Sequence, residues 1–206
     1  SPKNDKLAYV RDNNLYYFTL SDGKETAITN DGKKNEIING ATDWVYEEEF
    51  SMDVAFQWSP DGQKIAFYKF DESKVKEFNL TYYGVLYPRE EKYKYPKAGE
   101  DNSKVDIYIT NLASGKTIKA ETGSEREYIP RIQWTKDANT LSIQRSNRHQ
   151  NVLELLLCNA TNGSSKVVLK EENKSFIEIT DDLTFLSNGK QFIWTSARDG
   201  YNHIYL

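Results

Sequence analysis

The sequence contains few of the residues that build redox, metal or disulfide sites. Its 206 residues include one cysteine, Cys158, and two histidines, His149 and His203. A single cysteine excludes an internal disulfide and the paired Cys-x-x-C patterns of zinc and thiol redox sites. We therefore predict no metal site and no cofactor, and we interpret Cys158 as a small apolar strand residue.

Excess positive charge and long apolar runs are also missing. The formal net charge is −4, so the chain lacks the basic footprint of nucleic-acid-binding proteins, and we predict no nucleic-acid partner. Its longest apolar run, from Val152 to Leu157, is interrupted by Glu154 and is far shorter than the roughly 20 residues of a membrane span. The nucleophile motif Gly-x-Ser-x-Gly is absent as well, so we predict no catalytic residue here.

Aromatic residues, in contrast, are abundant and occur within a repeated pattern. The chain has 14 Tyr, 9 Phe and 4 Trp, a composition that favours strands. Residues 58–67, 134–143 and 185–194 share an aromatic residue, a four-residue polar turn and an alternating strand. In the first of these segments Pro60 presets the backbone of the turn, and Gly62 suits its end. Each segment therefore predicts a β-hairpin.

Further strand pairs are expected at about 106–118 and 153–169, with a similar pair at about 15–28. Repeated units of four strands are typical of β-propeller blades. We therefore predict an all-β fold, a partial β-propeller of about three to four antiparallel four-stranded blades. A two-sheet sandwich is the alternative, and the in-register turns argue against it.

The repeats are unevenly spaced. Blades have about 40–50 residues, and the interval from Trp58 to Trp134 is longer than that. This predicts an insertion at about residues 70–102, rich in Tyr, Lys and Glu and without clean strand periodicity. Residues 1–9 align with residues 59–67, and the last residues resemble the start of a third strand. We expect 1–206 to be a propeller fragment that is incomplete at both ends.

Residues 42–50 are the most informative stretch and contain three consecutive glutamates. These glutamates can lie on one helical turn or in a tight loop, and Thr42 or Asp43 can cap such a turn. An acidic triplet is commonly a solvated face. The alternative is a cation site, because a cation relieves the repulsion between adjacent carboxylates. Hard metal ions want six or more oxygens, and the chain has no Asp/Asn-rich loop to supply them.

Three motifs together resemble the dipeptidyl peptidase IV family of prolyl oligopeptidase-type serine peptidases. They are Asp43-Trp44-Val45-Tyr46-Glu47-Glu48-Glu49, Trp58-Ser59-Pro60-Asp61-Gly62 and Tyr95-Pro96-Lys97-Ala98-Gly99. The first motif is specific, whereas the second is shared by many propellers. The segment from Gly200 to Tyr205 is similar to the next blade of that family, so the resemblance covers essentially the whole chain. The stretch that follows the first motif is one residue shorter than in vertebrate members.

The resemblance implies a division of labour between two domains. In that family an eight-bladed propeller caps a catalytic α/β-hydrolase domain, which is not present in residues 1–206. The last two glutamates of the motif hold the free N-terminal ammonium of the peptide. The resemblance therefore assigns substrate binding to Glu48 and Glu49 and leaves a structural role to Glu47. It implies a gating propeller of a serine exopeptidase that releases X-Pro or X-Ala dipeptides, with this chain inactive alone.

Partners and location are also implied by the resemblance. The expected partners are peptides with a free N-terminus, the hydrolase domain of the same chain and a second copy in a homodimer, contacted through the insertion. We expect a periplasmic, cell-surface or secreted location, and the lack of paired cysteines favours a bacterial source. Two alternatives stay open: a stand-alone propeller and a catalytically dead one, each a protein-binding scaffold.

Overall fold

The computed structural model of the protein describes residues 1–124 and 127–206. Strands dominate these residues, which confirms the all-β prediction. No helix in this part of the chain has the length and apolar character to cross a membrane. The elements are β1 (Lys6–Arg11), β2 (Asn14–Thr19), β3 (Lys24–Ala27), β4 (Ile37–Asn39), α1 (Trp44–Glu48), β5 (Phe56–Trp58), β6 (Lys64–Asp71), β7 (Glu77–Tyr82), β8 (Arg89–Lys94), β9 (Lys104–Asn111), β10 (Thr117–Lys119), β11 (Tyr128–Trp134), β12 (Thr140–Ser146), β13 (Val152–Asn159), β14 (Ser165–Glu172), β15 (Thr184–Phe185), β16 (Phe192–Ser196) and β17 (His203–Tyr205).

Neighbouring strands in the sheets are mostly neighbours in the sequence. The orders are β1-β2-β3, β11-β12-β13-β14 and β15-β16-β17. A further sheet has the order β10-β9-β6-β4, with β5 also paired to β6, and β7 and β8 form a sheet of their own. The four strands β11–β14 thus form the complete meander that the repeat predicts for one blade.

The three repeat segments form antiparallel hairpins, as the sequence predicts. In each of them the aromatic residue ends the first strand, and the polar turn leads directly into the second. The Cα partners nearest the turns are Trp58 with Ile65, Trp134 with Leu141, and Phe185 with Phe192.

The turn of the first repeat hairpin has a counterpart at the start of the chain. Ser59 donates its N–H to the Lys64 carbonyl at 2.9 Å, and its Oγ accepts from the Lys64 N–H at 2.9 Å. Ser1 makes the same two bonds with Lys6, at 2.9 Å and 3.1 Å. The predicted alignment of the two segments is therefore confirmed by their hydrogen bonds.

Residues 77–94 form a hairpin that sequence reasoning missed. Strand β7 pairs with β8 from Glu77 opposite Lys94 to Tyr82 opposite Arg89. Most side chains on both strands are exposed. Because neither strand has a buried face, their sequences do not alternate between apolar and polar residues. The sequence pattern therefore does not predict these strands.

The chain divides into two compact units by its internal contacts. The first comprises Ser1–Lys6, Phe56–Phe67 and Asp106–Leu206, and the second comprises Leu7–Ala55 and Tyr68–Val105. The first unit contains a core cluster of buried apolar side chains: Leu153, Leu155, Leu183, Phe185 and Trp194.

The second unit is built around buried aromatic residues. Tyr46, Tyr68 and Phe70 are at most 2% exposed, and Leu15 is fully buried. Helix α1 and all the residues of the candidate site belong to this unit.

Two hairpin turns of the first unit have the same construction but different surroundings. Gly115 donates its N–H to the Asn111 carbonyl at 2.9 Å, and Gly163 donates its N–H to the Asn159 carbonyl at 2.8 Å. Both glycines have positive φ, at +69° and +83°. A Cβ at Gly163 would lie 2.2 Å from the carbonyl oxygen of Lys119, whereas a Cβ at Gly115 would meet no atom within 4 Å.

We expect Gly163→Ala to destabilise the protein more than Gly115→Ala. Both substitutions force an L-residue into the left-handed region at about 1–2 kcal/mol, but only Gly163→Ala adds a backbone clash, at about 1–3 kcal/mol. Thermal unfolding of the two variants measures the difference. Hydrogen exchange at Glu121, whose N–H donates to Gly163 at 2.8 Å, reports the local effect. Equal unfolding midpoints for the two variants would show that the close approach of the Lys119 carbonyl oxygen to Gly163 does not affect stability.

Candidate functional site

The acidic stretch folds as helix α1, and Asp43 is its N-cap. Asp43 has extended backbone angles (φ −82°, ψ 178°), and its Oδ1 accepts from the Tyr46 N–H at 3.0 Å. Its carbonyl accepts from the Glu47 N–H at 3.1 Å, which closes the first turn. Of the two possibilities left open by the sequence, the helical turn is correct, and Asp43 rather than Thr42 caps it.

Aromatic packing holds α1 in place, because a five-residue helix is not stable by itself. The ring of Tyr46 is edge-on to Phe70 at 4.8 Å and to Tyr68 at 6.0 Å between centroids. Phe50 lies on the same face, with its ring centroid 5.0 Å from that of Tyr46. Val45 of α1 is also buried. The aromatic residues of the motif therefore fix which face of the helix points to solvent.

The chain turns away immediately after the glutamates. Glu49 is the C-cap, and its N–H donates to the Val45 carbonyl at 2.8 Å. Ser51 takes a left-handed backbone with φ of +51°. The Met52 N–H then donates to the Tyr46 carbonyl at 3.0 Å. The backbone is thus fixed on both sides of the last two glutamates.

Glu47, Glu48 and Glu49 are all exposed on the outer side of α1. None of them forms a salt bridge with a basic side chain of the described residues. Glu48 and Glu49 stand at the C-terminal end of the helix, where the helix dipole adds to their negative potential. The Glu48–Glu49 pair is therefore arranged to attract a cation.

The carboxylate of Asp43 is buried, at 6% exposure, and both of its oxygens accept hydrogen bonds. Oδ1 caps α1, and Oδ2 accepts from the Ser103 hydroxyl at 2.6 Å. Ser103 is buried and directly precedes β9. One side chain therefore joins the start of α1 to the segment before β9. Burial raises the pKa of Asp43, although these two hydrogen bonds oppose the increase.

A second buried carboxyl group, that of Glu72, lies near Asp43. Glu72 directly follows β6 and is 7% exposed. Burial and the charge of Asp43 raise the pKa of Glu72 to about 7, and the charge of Lys94 opposes the increase. Lys94, at the end of β8, donates its Nζ to the Val75 carbonyl at 2.7 Å. Glu72 therefore releases its proton near neutral pH.

Trp44 connects α1 with the base of the β7–β8 hairpin. Its ring centroid lies 4.2 Å from that of Tyr95 in an edge-on contact. Tyr95 in turn lies 5.5 Å from Phe78 of β7 and 6.2 Å from Tyr93 of β8. The helix and the hairpin base therefore share one aromatic cluster.

The other residues that the sequence singled out lie elsewhere. Cys158 is buried in β13, His149 is exposed, and His203 lies 3.8 Å from Asp199 in an exposed pair. Within residues 1–124 and 127–206, no group of three or more His, Cys, Asp or Glu side chains is placed to hold a metal ion.

Sequence reasoning proposed the glutamates and the capping residue, but it missed Ser103 and Glu72. Ser103 is 60 residues away from Asp43 in the chain, and no local pattern pairs them. Glu72 lies in the charged run Asp71-Glu72-Ser73-Lys74, which resembles a solvated turn. A buried carboxyl group within such a run has no signature in the sequence.

The whole chain, residues 1–206, matches the family described as the dipeptidyl peptidase IV (DPP IV) N-terminal region. The chain therefore belongs to this family. Together with the antiparallel sheets and the structural likeness that follows, this confirms the predicted partial β-propeller.

Individual proteins agree with this assignment. The crystal structure of Porphyromonas gingivalis dipeptidyl peptidase 4 matches with a TM-score of 0.93 and 38% identity, over 100% of this chain and 30% of that one. Dipeptidyl aminopeptidase B of Saccharomyces cerevisiae is 33% identical over 99% of this chain. Inactive dipeptidyl peptidase 10 of Mus musculus is 32% identical over 97% of it. The chain spans 27% and 26% of these two curated relatives. The bacterial source stays a prediction, since the relatives include fungal and mammalian proteins.

Glu72→Gln should stabilise the protein at neutral and alkaline pH but not at acidic pH. The folded protein binds the Glu72 proton more tightly than the unfolded chain does, since the pKa rises from 4.5 to about 7 on folding. The wild type therefore loses stability as the pH rises between these two values, by on the order of 3 kcal/mol. Glutamine has no proton to release.

Thermal unfolding of both proteins between pH 4 and pH 8 checks this expectation. Glu90→Gln, a substitution at an exposed position in β8, is the control and should leave the pH profile of the wild type unchanged. A difference between Glu72→Gln and the wild type that does not vary with pH would contradict the expectation.

Proposed function

We propose that this chain binds the free N-terminus of peptide substrates in a dipeptidyl peptidase IV-like serine exopeptidase. The observation that carries the proposal is the exposed Glu48–Glu49 pair at the C-terminal end of a helix that is fixed at both ends. An α-ammonium group is a cation with three N–H donors, and two carboxylates accept charge-assisted hydrogen bonds from it. Membership of the family supports the same role.

Binding the ammonium group defines where the peptide is cut. If the N-terminus is held at Glu48 and Glu49, the scissile bond lies two residues away, at the catalytic serine of a further α/β-hydrolase domain of the same protein. The pair then acts as a ruler that selects release of a dipeptide, with X-Pro or X-Ala as the product. Fixing one end of the substrate converts binding energy into positioning of the reacting carbonyl.

The same contact discriminates against blocked peptides. An acetylated N-terminus has no positive charge and leaves two carboxylates without a counter-ion as the peptide covers them. The free α-amino group of a peptide titrates at about 7.7–8.0. Substrate binding therefore weakens as the pH rises through that range.

We propose that the enzyme is located in the periplasm, on the cell surface or outside the cell.

A protein-binding scaffold without peptidase activity is the second candidate. A relative named an inactive dipeptidyl peptidase is 32% identical to this chain over 97% of its length. A stand-alone propeller belongs to the same class of function. Hydrolysis of a Gly-Pro chromogenic substrate by the full-length protein separates the candidates, because neither form of scaffold cleaves it.

Glu48→Gln and Glu49→Gln should each lower kcat/KM for a Gly-Pro substrate by about 10- to 100-fold, because each removes a charged hydrogen bond of about 1.5–3 kcal/mol. Glutamine keeps the size of the side chain and removes its charge. The wild type should cleave the free-amine substrate and not its N-acetylated form. Steady-state kinetics on the full-length protein measures both effects.

Glu47→Gln is the matched control, because Glu47 is exposed on the same helix and has no proposed contact with the substrate. Its kcat/KM should stay within about twofold of the wild type. Equal losses in all three variants would indicate a general effect of negative charge. Unchanged kinetics in Glu48→Gln and Glu49→Gln would overturn the ruler.

The tip of the β7–β8 hairpin supports a homodimer as part of this proposal. Four apolar side chains at the tip are 62–89% exposed: Tyr83, Val85, Leu86 and Tyr87. An isolated two-stranded hairpin is marginally stable, and contiguous exposed apolar residues mark an interaction surface. Residues 83–87 carry no charge, so two copies can meet about a two-fold axis without repulsion.

Leu86→Asp should therefore shift the full-length protein from dimer to monomer, because a dimer would bury two unpaired carboxylates at the contact. Leu20→Asp is the control, since Leu20 is also an exposed leucine, at 58%, and lies outside the hairpin. Sedimentation velocity at several concentrations measures the molecular mass. A dimer that persists in Leu86→Asp, or a monomeric wild type, would remove the hairpin tip as the dimer contact.

A further inference from the structure

The buried carboxyl group of Asp43 belongs to the same site as the exposed Glu48–Glu49 pair. The Asp43 side chain bonds both to the first turn of α1 and to the segment before β9: Oδ1 accepts from the Tyr46 N–H, and Oδ2 accepts from the Ser103 hydroxyl. A shift of Asp43 therefore shifts the start of α1.

The glutamates lie close to this contact along the helix. Glu48 is five residues beyond Asp43, about 7–8 Å at the helical rise per residue. In so short a helix a displacement at the cap passes to the last residues within about one and a half turns. Because catalytic positioning depends on distances of about an ångström, loss of the cap contact is expected to misplace the Glu48–Glu49 pair.

Glu72, which directly follows β6 and is 7% exposed, adds a second buried carboxyl group to the unit that contains Asp43. Among the described residues the charged groups that act on its buried carboxyl group are Asp43, from the N-cap of α1, and Lys94, from β8. Lys94 is engaged with the Val75 carbonyl. Protonated Glu72 leaves Asp43 as the sole negative charge of the pair. Ionised Glu72 places a second negative charge beside Asp43 in a buried environment, which weakens the arrangement that holds the cap.

We propose that Asp43 and Ser103 are positioning residues for the Glu48–Glu49 pair, and that Glu72 makes this positioning dependent on pH. The inference rests on the proposed function, because it assigns how the ammonium-binding pair is held. With Glu72 protonated, the cap is intact and the substrate N-terminus binds well. As Glu72 loses its proton near neutral pH, the cap loosens and KM rises.

The test compares KM of the full-length wild type and Glu72→Gln for one Gly-Pro substrate between pH 5.5 and pH 8.5. Titration of the substrate amine affects both enzymes equally, so the ratio of their KM values isolates Glu72. The ratio of wild type to variant should be about one at pH 5.5 and should rise to about 3- to 10-fold above pH 7.5, with a smaller change in kcat. Glu90→Gln, at an exposed position in β8, should give a ratio of one throughout.

Two further variants test the contact itself. Ser103→Ala removes the hydroxyl donor and should raise KM several-fold at every pH, as should Asp43→Asn. In the Asp43→Asn background, Glu72→Gln should no longer change the pH profile, because the charge on which Glu72 acts is gone. If Asp43→Asn does not fold, Ser103→Ala alone decides the role of the contact.

The outcomes separate this inference from the proposed function. If Glu48→Gln and Glu49→Gln raise KM but the ratio for Glu72→Gln is flat with pH, the role of Glu72 is overturned and the ruler stands. If Ser103→Ala leaves KM unchanged, the positioning role of its contact with Asp43 is overturned. If the Glu48→Gln and Glu49→Gln variants bind substrate like the wild type, the proposed function fails and this inference fails with it.

Discussion

The burial of Tyr46 against β6 is the interaction on which the candidate site depends. A helix of five residues has too few internal hydrogen bonds to persist in water. Its position comes instead from the edge-on contacts of Tyr46 with Tyr68 and Phe70 and from Phe50 on the same face. These contacts orient α1, and the orientation leaves Glu48 and Glu49 in solvent at its C-terminal end. The exposure of Glu48 and Glu49 is thus a consequence of aromatic packing one turn away.

The carboxyl groups of the second unit lie in two different environments. Glu48 and Glu49 are exposed and available to a cation, whereas Asp43 and Glu72 are buried at 6% and 7% exposure. Burial penalises the charged form, and so it raises the pKa of both buried groups. The hydrogen bonds to Asp43 stabilise its carboxylate, while Glu72 keeps its proton up to about neutral pH. Residues of one chemical class therefore occupy exposed and buried positions within the same unit.

The hairpin β7–β8 differs in environment between its tip and its base. Its tip presents apolar side chains to solvent, while its base joins Trp44 through Tyr95 and Phe78. Trp44 is the first residue of α1. The surface that we assign to a second copy and the helix that we assign to substrate are therefore anchored in one aromatic cluster.

The features of this protein that can be predicted from its sequence are those whose signals are local. The hairpins after Trp58, Trp134 and Phe185 follow from a turn and an alternating strand, and the specific motif at 43–49 leads to the family and to the glutamate pair. Three features could not be predicted in this way: the β7–β8 strands, the contact of Ser103 with Asp43, and the burial of Glu72. The physical reason is common to the three. Burial and contact between residues far apart in the chain arise when the sheets pack, and neither leaves a periodicity or a motif in the local sequence.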